Sequence, residues 1–288
     1  VVDGPSERCV MLLSCPDQPG IVAAVAGFIA ENGGNIVHAE QHTDFEERIL
    51  FQRVEFELDG FSVGKDAIAE AFAPVAGRFS MVADVRFDSE RQRLAVLVSR
   101  DAHCLQDLLY RWRSDELRAD IPLVVSNHSD HRELVEFYGV EYLHVPVTKE
   151  TRREQEAEVI AALEAHGIDL VVLARYMQIL SDDFVGRYHN RIINIHHSFL
   201  PAFVGARPYH QASRRGVKII GATAHYATED LDEGPIIEQD VVRVSHRDSV
   251  EDLIRKGRDL EKLVLARAVL AHLEHRVLPH ANRTVVFS

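Results

Sequence analysis

Beyond residue 93 the chain repeats one pattern, a short apolar run followed by a stretch with helical periodicity. The runs are residues 94–98, 121–125, 142–145, 170–173 and 190–195. They do not alternate apolar with polar residues, so both faces of each strand must be covered. That is the condition of parallel strands joined by crossover helices. Helical segments fit between them: 105–112, a short piece around Leu134, Val135 and Phe137, and 149–166 with Val159, Ile160 and Leu163 on one side. Ser249, with Asp252 in the capping-box position, opens a last long helix running towards Leu273. Val285, Val286 and Phe287 read as an added edge strand. The expectation is an α/β domain over residues 94–288, a doubly wound, mostly parallel, Rossmann-like sheet with its site outside the carboxyl ends of the strands.

Residues 1–86 follow another order. An apolar strand over 9–14 meets the turn cluster Pro16-Asp17-Gln18-Pro19-Gly20. Ile21, Val22, Val25, Phe28 and Ile29 then mark one helical face, which Gly33-Gly34 stops. Strands over 35–42 and 49–58, a helix over 63–75 and a strand over 80–86 complete βαββαβ, the ferredoxin-like order. The charged stretch 87–93 reads as a linker.

A length of 288 residues accommodates two domains, and 46% apolar with 27% charged residues is the balance of a globular chain. The formal charge of −13 argues against nucleic acid and anionic membrane surfaces as partners. No apolar run approaches a membrane span, and residues 1–8 have no signal-peptide character, so the expected location is the cytoplasm. The three cysteines, Cys9, Cys15 and Cys104, form no framework of pairs, which fits a reducing compartment. Among sixteen histidines there is no HExxH and no Cys/His cluster with ligand spacing, so no metal is expected. No GxGxxG follows a strand, which leaves a dinucleotide without support.

The chemistry concentrates in Asn194-Ile195-His196-His197-Ser198-Phe199-Leu200-Pro201. At the end of a strand, Asn194 and His196 project from one face and can reach a single carbonyl oxygen, whereas His197 faces the other way, towards water. A second strand, Gly221-Ala222-Thr223-Ala224-His225-Tyr226, leads to Leu231-Asp232-Glu233-Gly234-Pro235, which adds a carboxylate. Amide, imidazole and carboxylate together polarise an acyl carbon and move protons around it.

The order Asn194-x-His196-x-Ser198-x-x-Pro201, then His225 and Asp232, strongly resembles the signature of the folate-dependent formyl-transfer fold. The wording of residues 195–203, of 205–210 and of 221–226 is most similar to its formyltetrahydrofolate deformylase branch. The resemblance covers nearly the whole chain. It implies hydrolysis of 10-formyltetrahydrofolate to tetrahydrofolate and formate, with the folate as substrate, no cofactor, and formate supplied to one-carbon pools for purine synthesis. Asn194 and His196 would stabilise the oxyanion, while Asp232 would orient water and shuttle protons. Residues 173–180 resemble the family's folate loop and 227–232 its opposite wall. Met177, Gln178, Leu180, His197, Ser198, His225, Thr228 and Gly234 are the implied substrate-site residues, and Arg207 is a candidate for an anionic group. The Asp17-Gln18-Pro19-Gly20-Ile21-Val22 turn resembles the opening of an ACT domain, which makes Asp17, Gln18 and Gly20 candidates for an amino-acid effector site and implies a dimer or tetramer.

The loop after residue 98 separates the branches. In the nucleotide-acceptor transformylase it is glycine-rich, because backbone amides approach a phosphate. Here it reads Ser99-Arg100-Asp101-Ala102-His103-Cys104. The expected acceptor is therefore water. The tRNA formyltransferase is disfavoured by the acidic charge and by the short stretch after the last helix. Two alternatives stay open: transfer to a small amine, and an amino-acid-binding regulatory protein with an inactive second domain.

Overall fold

Strand β1 (Arg8–Pro16) is apolar on both sides because both sides are covered. In the computed structural model, which describes residues 7–148, 150–201 and 208–288, Cys9, Met11, Leu13 and Cys15 face one buried cluster. Leu12 joins a second cluster with Phe51, Leu278 and Phe287. α1 (Ile21–Glu31), β2 (Asn35–Asp44), β3 (Ile49–Glu57), α2 (Ile68–Phe79) and β4 (Val82–Phe87) complete an antiparallel sheet of order β2-β3-β1-β4. Gly20 opens α1 at φ +95°, a left-handed conformation that glycine adopts at no steric cost. The second helix starts later than the pattern predicts, after a 3-10 turn at Lys65–Ala67, and continues through Pro74 to Phe79. Buried Ile68, Phe72 and Phe79 set that register, while Pro74 lies on the exposed side, where water can satisfy the helix bond it removes.

Two compact units result. One holds the described residues up to Arg91 with Glu274–Leu278 and Val285–Ser288, and the other holds Gln92–Leu273 and Pro279–Thr284. The last residues thus divide between the units, where the sequence reading assigns them all to the second domain. They form β12 (Val277–His280) and β13 (Arg283–Val286), a two-stranded sheet of their own and not an edge of a larger one. The predicted linker is also shorter, because β4 extends to Phe87 and the next strand begins at Gln92.

The second unit is built from β5 (Gln92–Val98), α3 (His103–Arg113), β6 (Ala119–Ser126), α4 (Arg132–Phe137), β7 (Glu141–His144), α5 (Arg152–Ala165) and β8 (Leu170–Leu173). These are followed by α6 (Asp182–Arg187), β9 (Ile192–His196), α7 (Pro208–Arg215), β10 (Ile219–Tyr226), β11 (Ile236–Arg243) and α8 (Val250–Leu273). The sheet has the order β11-β10-β9-β8-β5-β6-β7. β5 to β9 are parallel, and β10 and β11 run antiparallel to their neighbours. The strand order reverses beside β5, and the crevice at that switch point is where such sheets place ligands. α6, α7 and β11 are absent from the sequence reading: the two helices are short, and the half-exposed β11 lacks a clear apolar alternation. At the start of α8 the backbone N–H of Asp252 donates to Ser249 Oγ at 3.2 Å and that of Ser249 to Asp252 Oδ2 at 3.0 Å, the reciprocal cap read from sequence. Among the described residues no helix is long and apolar enough to cross a membrane.

Phe287 is 1% exposed on the outer face of the first sheet. Phe287→Ala should therefore destabilise the first unit by about 3–5 kcal/mol. Faster amide hydrogen exchange in β1 and β3, with β5 and β8 unchanged, is the expected result.

Candidate active site

β9 ends with Asn194 and His196 on one face, and antiparallel β10 sets His225 directly across from Asn194. The Nδ1–H of His225 donates to the Tyr226 carbonyl at 2.9 Å, because a carbonyl can only accept. Its Nε2 then accepts from the Asn194 amide at 3.2 Å, which orients that amide and leaves its second N–H to the cavity. Sheet pairing, not chance proximity, fixes this contact.

Asp232 arrives from the turn after β10 with φ +60°, in the left-handed region. Such a conformation costs a non-glycine residue roughly 1–3 kcal/mol and persists where surrounding structure enforces it. The same turn folds back on β10 at Gly234, where a Cβ would fall 1.8 Å from the Tyr226 carbonyl oxygen, so only glycine fits there. The carboxylate meets His196 Nδ1 at 3.2 Å and His225 Nε2 at 3.8 Å. Burial works against its charge, but the hydrogen bond and charge of His196 outweigh it and hold the Asp232 carboxyl well below the usual range. His196 Nε2 is buried and has no hydrogen-bond partner among the described residues, yet the ring lines the cavity.

That cavity measures about 590 Å³. One wall is the segment after β8, with Met177, Gln178, Ile179 and Leu180, and the opposite wall carries Thr228 to Asp232. The first wall is tied down: the Met177 N–H donates to Ser99 Oγ at 2.9 Å, and Arg152 donates to the Ile179 carbonyl. Of the residues singled out from sequence, Asn194, His196, Asp232, Met177, Gln178, Leu180, His197, His225 and Thr228 line one cavity. Ser198 and Gly234 do not. The Ser198 carbonyl accepts from buried Thr223 Oγ1 at 2.9 Å, and Gly234 serves backbone packing. Ala202, Phe203, Gly205, Ala206 and Arg207 lie outside the described residues. Asp17, Gln18 and Gly20 belong to the exposed loop between β1 and α1 in the first unit.

The far side of the cavity was not anticipated. Glu261 of α8, 1% exposed, accepts from Tyr209 at 2.5 Å, meets His103 Nε2 at 2.8 Å and lies 3.5 Å from Arg175 Nε. Burial opposes its charge, but His103, Arg175 and Tyr209 hold it ionised, below the usual carboxylate range. Asp101 meets Arg258 at 2.9 Å and Arg175 at 3.5 Å. His103, Cys104 and Glu261 bring potential metal ligands within 4.8 Å of one another. Both Glu261 oxygens are already engaged and a guanidinium stands beside them, a donor set arranged for hydrogen bonds. Sequence contained one signal for this network: Glu261 interrupts the apolar stripe of Leu260, Val264 and Leu265, and a carboxylate on a buried face demands partners.

His197 differs from its sequence reading. β9 ends at His196, so strand alternation no longer governs the next residue, and the two rings stack with centroids 5.2 Å apart. Arg175 donates to His197 Nδ1, and burial together with that guanidinium lowers the His197 pKa to about 4.

The formyl transferase family model matches residues 92–269, and the ACT domain model matches residues 10–71. The formyltetrahydrofolate deformylase of Synechocystis sp. is 58% identical over 96% of this chain and 98% of its own length. That of Bacillus subtilis is 50% identical over 99% of this chain and 96% of its own length. The crystal structure of a formyltetrahydrofolate deformylase from Pseudomonas syringae pv. tomato superposes with a TM-score of 0.97 at 51% identity, covering 100% of this chain and 96% of that one. A likeness that spans both units at these identities extends well past a shared fold, and the chain belongs to the formyltetrahydrofolate deformylase family.

Proposed function

We propose that this chain hydrolyses 10-formyltetrahydrofolate to tetrahydrofolate and formate. The observation that carries the reading is the open Nε2 of His196, backed through Nδ1 by Asp232 and flanked by Asn194 on one cavity wall. The formyl group is bonded to an aryl nitrogen whose lone pair is shared with the ring, so its carbon is more electrophilic than that of an ordinary amide. Side-chain donors then suffice, and no metal is required. With both ring nitrogens carrying hydrogen, His196 donates Nδ1–H to Asp232 and Nε2–H to the formyl oxygen, which also accepts from Asn194. Water adds to the formyl carbon and its proton passes to Asp232 as the oxyanion forms. Collapse breaks the C–N10 bond, N10 takes a proton relayed from Asp232, and formic acid leaves as formate.

Water as acceptor is supported by the loop after β5. Asp101 stands where a phosphate would need backbone amides, and Arg175 and Arg258 are already paired with carboxylates. The products fit a role in supplying formate for purine synthesis, and three buried free thiols fit a reducing cytoplasm. The first unit we assign to amino-acid sensing through Asp17, Gln18 and Gly20, and to self-association through its sheet edges β2 and β4. Calorimetry with single amino acids should detect binding, and sedimentation should find a dimer or tetramer; no heat and a monomer would remove both assignments.

Formate release without any amine acceptor tests the main reading. The unmodified chain should release it stoichiometrically with tetrahydrofolate, and a requirement for an amine would make the chain a transferase. Asn194→Ala removes one oxyanion donor and should lower kcat by ~10²–10³. Asp232→Asn should lower it by ~10²–10⁴ while folate binding persists. The same carboxyl predicts a pH dependence of stability. Its folded pKa is depressed, so its contribution is complete above the unfolded value of about 4 and is lost as pH falls through the folded one. Thermal midpoints should fall more steeply with acid for the parent chain than for Asp232→Asn; parallel curves would contradict the paired carboxylate.

A further inference from the structure

Two imidazoles stand side by side in this cavity, and the mechanism needs a proton on only one. His196 and His197 stack with centroids 5.2 Å apart and an interplanar angle of 29°. At that separation a charge on one ring disfavours a charge on the other. Something must assign the proton.

Arg175 has the means. Its guanidinium donates to Nδ1 of His197, which occupies that nitrogen's lone pair and leaves the single ring hydrogen on Nε2. The residue is also held there at a cost. It has φ +64°, left-handed for a bulky side chain, and such strain gathers where function requires it. Its carbonyl accepts from the Ser99 N–H at 3.2 Å, while its guanidinium lies 3.5 Å from both Asp101 and Glu261. The groups facing His197 are Arg175, Glu261, His196, Asp232 and, at 6.1 Å between ring centres, Tyr209. Of these only Arg175 bonds to its Nδ1.

We propose that Arg175 is a positioning residue that decides which of the two adjacent histidines carries the catalytic proton: it keeps His197 neutral and leaves His196 as the single imidazole acid facing the substrate. The lowered pKa of His197, set by burial first and by Arg175 second, agrees with this geometry. The activity half of the proposal rests on the deformylase reading, and the protonation half does not.

The test uses the full chain with ¹⁵N-labelled histidine, followed by ring-nitrogen shifts between pH 5 and pH 8, with the His197 signal assigned from His197→Gln. In the parent chain His197 should stay neutral, with hydrogen on Nε2, across the range. In Arg175→Met, with Glu261 left facing it, the ring should rise by roughly one unit or more and titrate within the range. The kcat/KM for formate release should then gain a loss on the acid side that Arg175→Met/His197→Gln lacks. Arg175→Lys, which retains charge and donor, should return His197 to the neutral form and serves if the methionine variant does not fold. A parent His197 that titrates in the range overturns the proposal, as does a neutral ring in Arg175→Met or an acid limb that survives in the double variant. Absence of formate release from the parent would end the deformylase reading, while the ring-nitrogen shifts would still decide the proton assignment.

Discussion

The contact between Asp232 and His196 is the interaction on which the rest of the second unit depends. A carboxylate with a side chain only 13% exposed needs a hydrogen-bond donor, and His196 provides one at 3.2 Å, with His225 from the neighbouring strand 3.8 Å away. Bringing it there requires a left-handed aspartate and a glycine two residues later that can lie against the backbone of β10. It also requires β10 to run antiparallel to β9, so that His225 falls opposite Asn194. A sixth parallel strand would have needed a crossover connection and would not have had this antiparallel pairing of His225 with Asn194.

Around that pair the unit divides polar work between two sides of one cavity. On the side of the trio, buried groups retain unmet capacity: His196 Nε2 has no partner among the described residues. On the other side Glu261, Tyr209, His103, Arg175 and Asp101 engage one another. Glu261 is the buried charge among them, and removing the cations beside it would leave that carboxylate short of partners, a costly change. The first set is arranged to receive a ligand and the second to stay as it is, and His197 lies between them, bonded to one and stacked on the other.

Much of this was legible in the linear chain, for reasons that differ by residue. Asn194 and His196 are two apart on a strand, and strand periodicity holds until β9 ends, so their shared face could be read. His197 is one residue past that end, and the same rule misplaces it. The cap of α8 was readable because Ser249 and Asp252 satisfy each other locally. The start of α2 was not, because tertiary burial of Ile68, Phe72 and Phe79 sets it.

The sequence by itself determined the class of each unit, the order of most of its elements and the candidate trio of Asn194, His196 and Asp232. Apolar run length, periodicity and motif spacing are local quantities, and they survive without coordinates. Tertiary structure decided that residues near Phe287 complete the first unit, that Glu261 and Tyr209 belong to the site, and that Arg175 reaches His197. Each of these is a pairing between segments remote in the chain. Whether a buried charge is satisfied depends on distances of a few ångströms, and folding alone brings such segments that close.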